Sequence, residues 1–355
     1  MLKNKKLGLV IFLGIQIILI SILKNYPEFV ERFYSNGLYV YISKLMRYVF
    51  GWIPFSVGDI FYTLAGIYAI RWLVLNRKRV VKDTKNWLLD IGAVLSIAYF
   101  AFHILWAFNY YRQPLYKFLN LKADYTTEQL VSFTKRLIDK SNTIHSQLAI
   151  NDSTKVEMPF SKREAFAKVL NGYEKLSEEY PHLYYEPKSI KKSIYSTALT
   201  YMGFSGYLNP FTNEAQVNGL VPTYKFPTTS CHEAAHQLGF AAENEANFIG
   251  SLAAIHNDDI HFKYSGYTFA LRYCLVEIFR RDKDLYYEIL STVNKGILKN
   301  YQEVESFWKS YENPLEPLFA DTYDSFLKAN NQSAGMRSYS YVVALLVNYY
   351  GDKAL

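Results

Sequence analysis

Three apolar runs fill most of the first 108 residues, and a densely basic loop separates the second from the third. An apolar run of about 20 residues must either cross a bilayer or be buried on every side, so these runs constrain the fold most. They are Leu7–Leu23, about Ile53–Leu75 and about Trp87–Phe108. The latter two have the length needed to cross a hydrocarbon core of roughly 30 Å, and the first is at the short end of that range. Lys3, Lys5 and Lys6 precede the first run and Lys24 follows it, as in a secretory signal. No small-x-small cleavage site precedes Lys24, which favours a retained span. Burial of the second and third runs in a soluble domain is the alternative, and their length and adjacency argue against it. His103 lies inside the third run, where an ionisable group is either functional or a helix–helix contact.

Lysine and arginine set the expected topology. The basic N-terminus and the loop Asn76–Asn86, NRKRVVKDTKN, both belong on the cytoplasmic side. Three spans then place everything after Phe108 outside. The chain divides into an anchor, 1–108, and an outward-facing domain, 109–355, of a multi-pass membrane protein. Tyr26–Trp52 alternates apolar and charged residues and reads as an amphipathic helix on the outer membrane surface. The net charge of +7 is concentrated in the basic loop and reads as topology. No basic helix with interleaved stacking aromatics points to nucleic acid.

From Asn109 onward the pattern is mainly helical. Thr126 with Gln129 forms a capping box that opens a helix to about Leu148. Ser161 with Glu164 opens another to about Glu179, before Pro181. Helical patterns recur at about 265–281, 283–310, 315–329 and 338–350. Between Ser193 and Phe226 the residues turn to Gly, Asn, Pro, Tyr and Thr, which predicts short strands and turns.

That segment leads into CHEAAHQLGFAAENEANFIG, Cys231–Gly250. On a helix, His232 and His236 stand one turn apart on one face, so both imidazoles can reach one metal ion. Glu233 projects beside them, where it can accept a proton from a water activated by that metal. Ala234, Ala235 and Leu238 make the helix apolar around the motif, unlike a solvated face. A buried helix carrying two His and one Glu must satisfy those groups, and a metal does so. Gly239 can end the helix in a left-handed cap and turn the chain back. A second helix then starts near Glu243.

The third ligand follows from helical phase. Glu243 and Asn247 are one turn apart and share a face, whereas Glu245 lies about 200° around the axis from Glu243. This favours Glu243 as ligand with Asn247 as its hydrogen-bonding orienter, and leaves Glu245 as the fallback. Cys231 adjoins His232 and either touches the metal or, the better reading, packs the ligand helix. Cys231 and Cys274 alone imply no disulfide framework.

HEAAH followed by ENEAN resembles the gluzincin arrangement of HExxH plus a later E-x-x-A-D/N helix. That arrangement occurs in membrane-bound prenyl-protein peptidases, heat-shock membrane peptidases and regulatory peptidases of the ImmA/IrrE type. The resemblance implies zinc on His232, His236 and Glu243, Glu233 as general base, and Asn247 where Asp is usual. Only six residues separate His236 from Glu243, fewer than in those families. The chain as a whole is more similar to a family of bacterial, largely Bacteroidetes-type membrane proteins of unknown function. N-terminal spans, GYLNPFTNEAQVN, CHEAAHQLGFAAENEANF and a Tyr-rich C-terminus carry that likeness. It implies a mostly helical, zincin-like domain with a small sheet or hairpin before the HExxH helix. In zinc peptidases the edge strand of such a sheet pairs with an extended substrate. Glu214–Pro222 is the candidate edge, with an ordinary hairpin as the alternative.

A developing oxyanion needs a donor, and His256, His261, Tyr264, Arg337 and Tyr339 follow the motif. RSYSYVVALLVNYY resembles a recurrent segment of that family, so Arg337 and Tyr339 join Glu233 as the expected catalytic residues. His256 and His261 read better as members of a solvated loop than as ligands. The expected function is that of a membrane-anchored zinc metallopeptidase acting on a peptide or protein, with lipid bilayer as its other partner. The alternative is a catalytically silent metal-binding scaffold or envelope sensor, against which the acid Glu233 argues. A transporter is disfavoured by three spans and a large soluble portion.

Overall fold

The structure, a computed structural model, describes residues 2–332, 341–351 and 353–355. The apolar runs form long helices. These are α1 (Leu2–Leu23) and, beyond a helical segment ending in α2 (Tyr39–Phe50), α3 (Val57–Leu75) and α4 (Thr84–Leu105). All three are long and apolar enough to cross a membrane, and their surfaces are mostly exposed apolar side chains. Lys6 and Arg79 both pair with Asp90, which brings the basic N-terminus and the basic loop to one end of the helices. Helix α4 stops at Leu105, short of the expected Phe108. Trp106 leaves the helix to bond elsewhere, and Ala107 is fully buried in the fold beyond.

The segment before α2 is helical with a wide turn at Val30–Leu38. It is amphipathic, as its pattern predicts, but its buried face packs on protein. Val30, Tyr34 and Tyr39 form a core with Trp106, Ala107, Tyr111 and Ala241. The opposite face exposes Phe29, Phe33, Tyr41, Tyr48 and, just past α2, Trp52.

Further along the chain come α5 (Thr127–Leu148) and α6 (Lys162–Glu179), each opened by the capping box its sequence encodes. Then follow β1 (Ile190–Lys192), α7 (Ser196–Tyr201), β2 (Gly206–Asn209) and β3 (Glu214–Val217). The helices α8 (Phe226–Gln237), α9 (Glu243–His256) and α10 (Ile260–Arg281) form the centre of the core. The expected 283–310 helix is two, α11 (Lys283–Leu290) and α12 (Lys295–Lys309), and α13 (Glu316–Ala329) and α14 (Val342–Tyr349) complete the chain. The fold is mainly helical with one small sheet before the HExxH helix, as the sequence predicts.

The strand order is β1-β3-β2, with β3 parallel to β1 and antiparallel to β2. This corrects the expected edge. Glu214–Val217 is the central strand and is paired on both sides, so it presents no free groups. Asn218 donates its N–H to the Ser205 carbonyl at 2.9 Å, which sets the phase of the β2–β3 ladder. Tyr207 and Asn209 turn their backbone groups toward β3, and Gly206 and Leu208 turn theirs to the open side. The free edge beside the motif is therefore β2.

A candidate metal centre between two buried helices

Helix α8 carries the HExxH motif and is buried along almost its whole length. It ends at Gln237, and Gly239 takes φ +91°, the left-handed conformation that reverses the chain. Helix α9 then runs back against α8. Their backbones approach closely at Gly250, where a Cβ would stand 2.7 Å from both Cα and N of His232. This contact brings Glu243, the first residue of α9, over the histidines.

His232 Nε2 lies 3.3 Å and His236 Nε2 3.7 Å from Glu243 Oε2. The ligand atoms of His232, Glu233 and His236 also lie within 4.8 Å of one another, so four groups converge. The two carboxylates have different surroundings. Glu243 accepts the Tyr323 hydroxyl at 2.6 Å on Oε1, which leaves Oε2 turned to the imidazoles. Glu233 lies against β2, where a Cβ on Gly206 would stand 2.5 Å from Glu233 Oε1, and Glu233 Oε2 has no partner among the described residues. A ligand carboxylate is typically held by a second hydrogen bond, as Glu243 is. A base needs an oxygen that the protein leaves unclaimed, as Glu233 has.

His236 Nδ1 lies 2.7 Å from the Phe240 carbonyl, which assigns the proton to Nδ1 and leaves the Nε2 lone pair facing the cluster. The buried Nδ1 of His232 has no such partner among the described residues. Burial pushes the Glu233 carboxyl above its ordinary value, and the neighbouring histidines only partly oppose it. Burial would do the same to Glu243, but the two histidines hold it well below the usual carboxylate range. Burial pulls His236 down, and Glu243 more than reverses this, to about 9, so without a cation Nε2 also holds a proton near neutral pH, which it would give up on binding a metal. Two imidazoles, that of His236 buried and that of His232 partly so, face one ionised carboxylate and make a donor set that could hold a divalent cation.

The motif helix is held from several sides. Tyr173 donates to the Cys231 carbonyl at 2.6 Å, Trp106 Nε1 to the His236 carbonyl at 3.2 Å, and Tyr39 to the Gln237 carbonyl at 3.0 Å. Arg112, paired with Glu31, donates to the Gly239 carbonyl at 2.9 Å. The bonds from Trp106, Tyr39 and Arg112 anchor the carbonyls at the C-terminal end of α8 and in the turn after it, and the bond from Tyr173 anchors the middle of the helix.

Other expectations are resolved by position. Glu245 accepts the Leu115 N–H at 2.7 Å, away from the histidines, and is a structural carboxylate. Asn247 donates to Tyr273 at 3.5 Å, so Tyr323 occupies the orienting role expected of Asn247. Cys231 is a free, fully buried thiol that packs the helix. Tyr264 bonds Asn300 at 2.8 Å, His256 its own helix at Leu252, and His261 Asp259, so none of the three joins the cluster. His103 is buried among Tyr99, Phe102, Phe108 and Tyr111, as a helix contact. Arg337 and Tyr339 lie outside the described residues. Sequence reading missed Lys225, which immediately precedes the motif helix, eight residues before Glu233. It is half-buried and donates to Ser205 Oγ at 2.9 Å. Burial lowers its amine to about 8, with Arg272 adding to the effect and Glu233 opposing it.

Fold and site together define a class: a helical protein with three helices fit to cross a membrane and a His–Glu–His–Glu cluster between two buried helices. The chain belongs to the DUF3810 family, described as protein of unknown function, which it matches over residues 34–347. No curated protein and no solved structure matches it.

Proposed function

We propose that this protein is a membrane-anchored, gluzincin-like zinc metallopeptidase, of the Bacteroidetes-type bacterial inner membrane, with its catalytic domain facing the periplasm. The observation that carries the reading is the division of labour between two buried carboxylates. Glu243 is clamped by Tyr323 and the two histidines, while Glu233 keeps a free oxygen beside an open strand edge. A closed structural site has no use for the second.

In this reading His232, His236 and Glu243 hold the zinc. When bound, it acts as a Lewis acid toward water and the substrate carbonyl. Glu233 takes the proton from the attacking water. Its raised affinity for protons, a consequence of burial, suits it to keep that proton and then pass it to the departing amine. The free N–H and C=O groups of Gly206 and Leu208 align an extended peptide beside Glu233. Gly206 is required there because a side chain would displace the base. Lys225, half-buried and close enough to Glu233 to feel its charge, offsets negative charge accumulating at the reacting carbonyl. The outward orientation rests on the shared basic end formed by Lys6, Arg79 and the loop that follows α3.

The test is metal content and hydrolysis of the purified full-length protein. Wild type carries about one zinc per chain, His232→Ala loses it, and Glu233→Gln keeps it while hydrolysis stops. A wild-type protein without stoichiometric metal defeats the enzyme reading, and a Glu233→Gln variant with full activity removes the proposed base.

A further inference from the structure

The metal cluster is joined to the outer ends of two of the membrane-length helices by direct contacts. The first route runs through β2. Asn209, at one end of β2, lies against Gly58, the second residue of α3, where a Cβ would stand 2.5 Å from the Asn209 amide. Gly206, at the other end, lies against Glu233. Three residues of strand, at about 3.3 Å each, put Glu233 on the order of 10 Å from the start of α3.

This joint has no slack. Glu214 of β3 accepts the N–H groups of Val57 and Gly58 at 3.2 and 2.5 Å and so caps α3. Asp59, buried in the first turn, accepts Ser193 Oγ at 2.9 Å and the Ile194 N–H at 2.6 Å, and also takes the Tyr207 hydroxyl of β2. Tyr62 stacks on Tyr207, with ring centres 6.4 Å apart.

A second route is shorter. Trp106, the residue after α4, bonds the carbonyl of His236. A third runs through α2, whose Tyr39 bonds the carbonyl of Gln237 while Tyr41, Tyr48 and the following Trp52 are exposed on its other side. Exposed aromatic side chains beside apolar spans are the pattern of a membrane–water interface. The motif helix therefore rides about one helix diameter, roughly 10 Å, above that surface. The headgroup layer on each side of the hydrocarbon is about 5–8 Å thick.

We infer, on the basis of the peptidase reading, that the substrate is a polypeptide tethered to the same bilayer, cut in an extended stretch next to its anchor. A chain leaving the hydrocarbon gains about 3.3 Å per extended residue. It reaches the level of Glu233 within about three to five residues, so cleavage falls within about ten residues of the anchor. Helix α13 packs beside the cluster: its Tyr323 touches both Glu243 and Phe204, and its Phe326 leans on Phe102 of α4.

The experiment compares new peptide termini in the envelopes of cells expressing full-length wild-type or Glu233→Gln protein, with zinc content measured for both. The expected result is a set of wild-type-dependent termini within about ten residues of transmembrane or lipid anchors. Moving one such site about 20 residues outward with a Gly/Ser spacer then lowers its cleavage at least tenfold, because a flexible spacer separates it from the surface. Termini scattered through soluble proteins or distal domains, or cleavage unchanged by the spacer, overturn the inference and leave the peptidase standing. No wild-type-dependent termini from a zinc-loaded protein overturn the peptidase reading and this inference with it.

Discussion

Tyr323 donates its hydroxyl to Glu243 Oε1 at 2.6 Å, across 80 residues of chain. The bond fixes which carboxylate oxygen faces His232 and His236. Outer hydrogen bonds of this kind typically change metal affinity by about 10- to 100-fold. Tyr323→Phe keeps the ring contacts with Phe204 and Phe326 and removes only the donor. The expected result is a zinc dissociation constant about tenfold weaker or more, read by competition with a chelator. An unchanged constant dissociates Tyr323 from the metal centre.

Gly206 tests the strand edge and the base together. In Gly206→Ala the new methyl meets Glu233 Oε1 and also the Gln216 carbonyl, which is backbone and yields little. Zinc stays bound, since neither contact involves a ligand. Hydrolysis falls on the order of 100-fold, the usual consequence of shifting a reacting group by about 1 Å. Wild-type turnover in this variant separates β2 from catalysis.

The approach of α9 to α8 at Gly250 predicts a coupled loss. Gly250→Ala drives a methyl against the His232 backbone, and overpacking of this kind costs about 1–3 kcal/mol. Thermal stability and zinc affinity fall together. Gly66→Ala is the control, because a Cβ there meets nothing within 4 Å. Stability lost without any change in zinc affinity would detach this helix contact from the metal site.

What could be read in advance was local. The capping boxes at Thr126 and Ser161 involve groups three residues apart, and both form. The left-handed Gly239 and the phase of Glu243 follow from a single helix–turn–helix, so the convergence of Glu243 on the two histidines was legible as well. The position of β2 was not. β3 reads as an edge until β1 is seen to pair with it, and β1 is three residues whose pairing is set by distant contacts. Tyr323 is one of 32 tyrosines and has no local signal. Asn247 was expected in its place because phase places a group on a face without saying what comes to meet it.

The last prediction separates Glu243 from Glu245. Both are deeply buried, but only Glu243 faces the imidazoles, and Glu245 instead holds the Leu115 N–H. Burial raises the Glu245 carboxyl from 4.5 to about 7, with the Leu115 N–H and Arg112 opposing the rise. Below pH 4.5 the group is protonated whether the chain is folded or not, and it has no effect on the balance. Between 4.5 and about 7 the unfolded chain gives up the proton first, so stability falls as pH rises. At about 1.4 kcal/mol per pH unit the full loss is at most about 3.5 kcal/mol. Glu245→Gln keeps the acceptor for Leu115 and removes the ionisation. Its melting temperature therefore gains on wild type as the pH goes from 5 to 8, and its zinc content stays at the wild-type level. Glu243→Gln loses zinc across the same range. If Glu245→Gln is the variant that loses metal, the two carboxylates exchange roles and the ligand set becomes His232, His236 and Glu245.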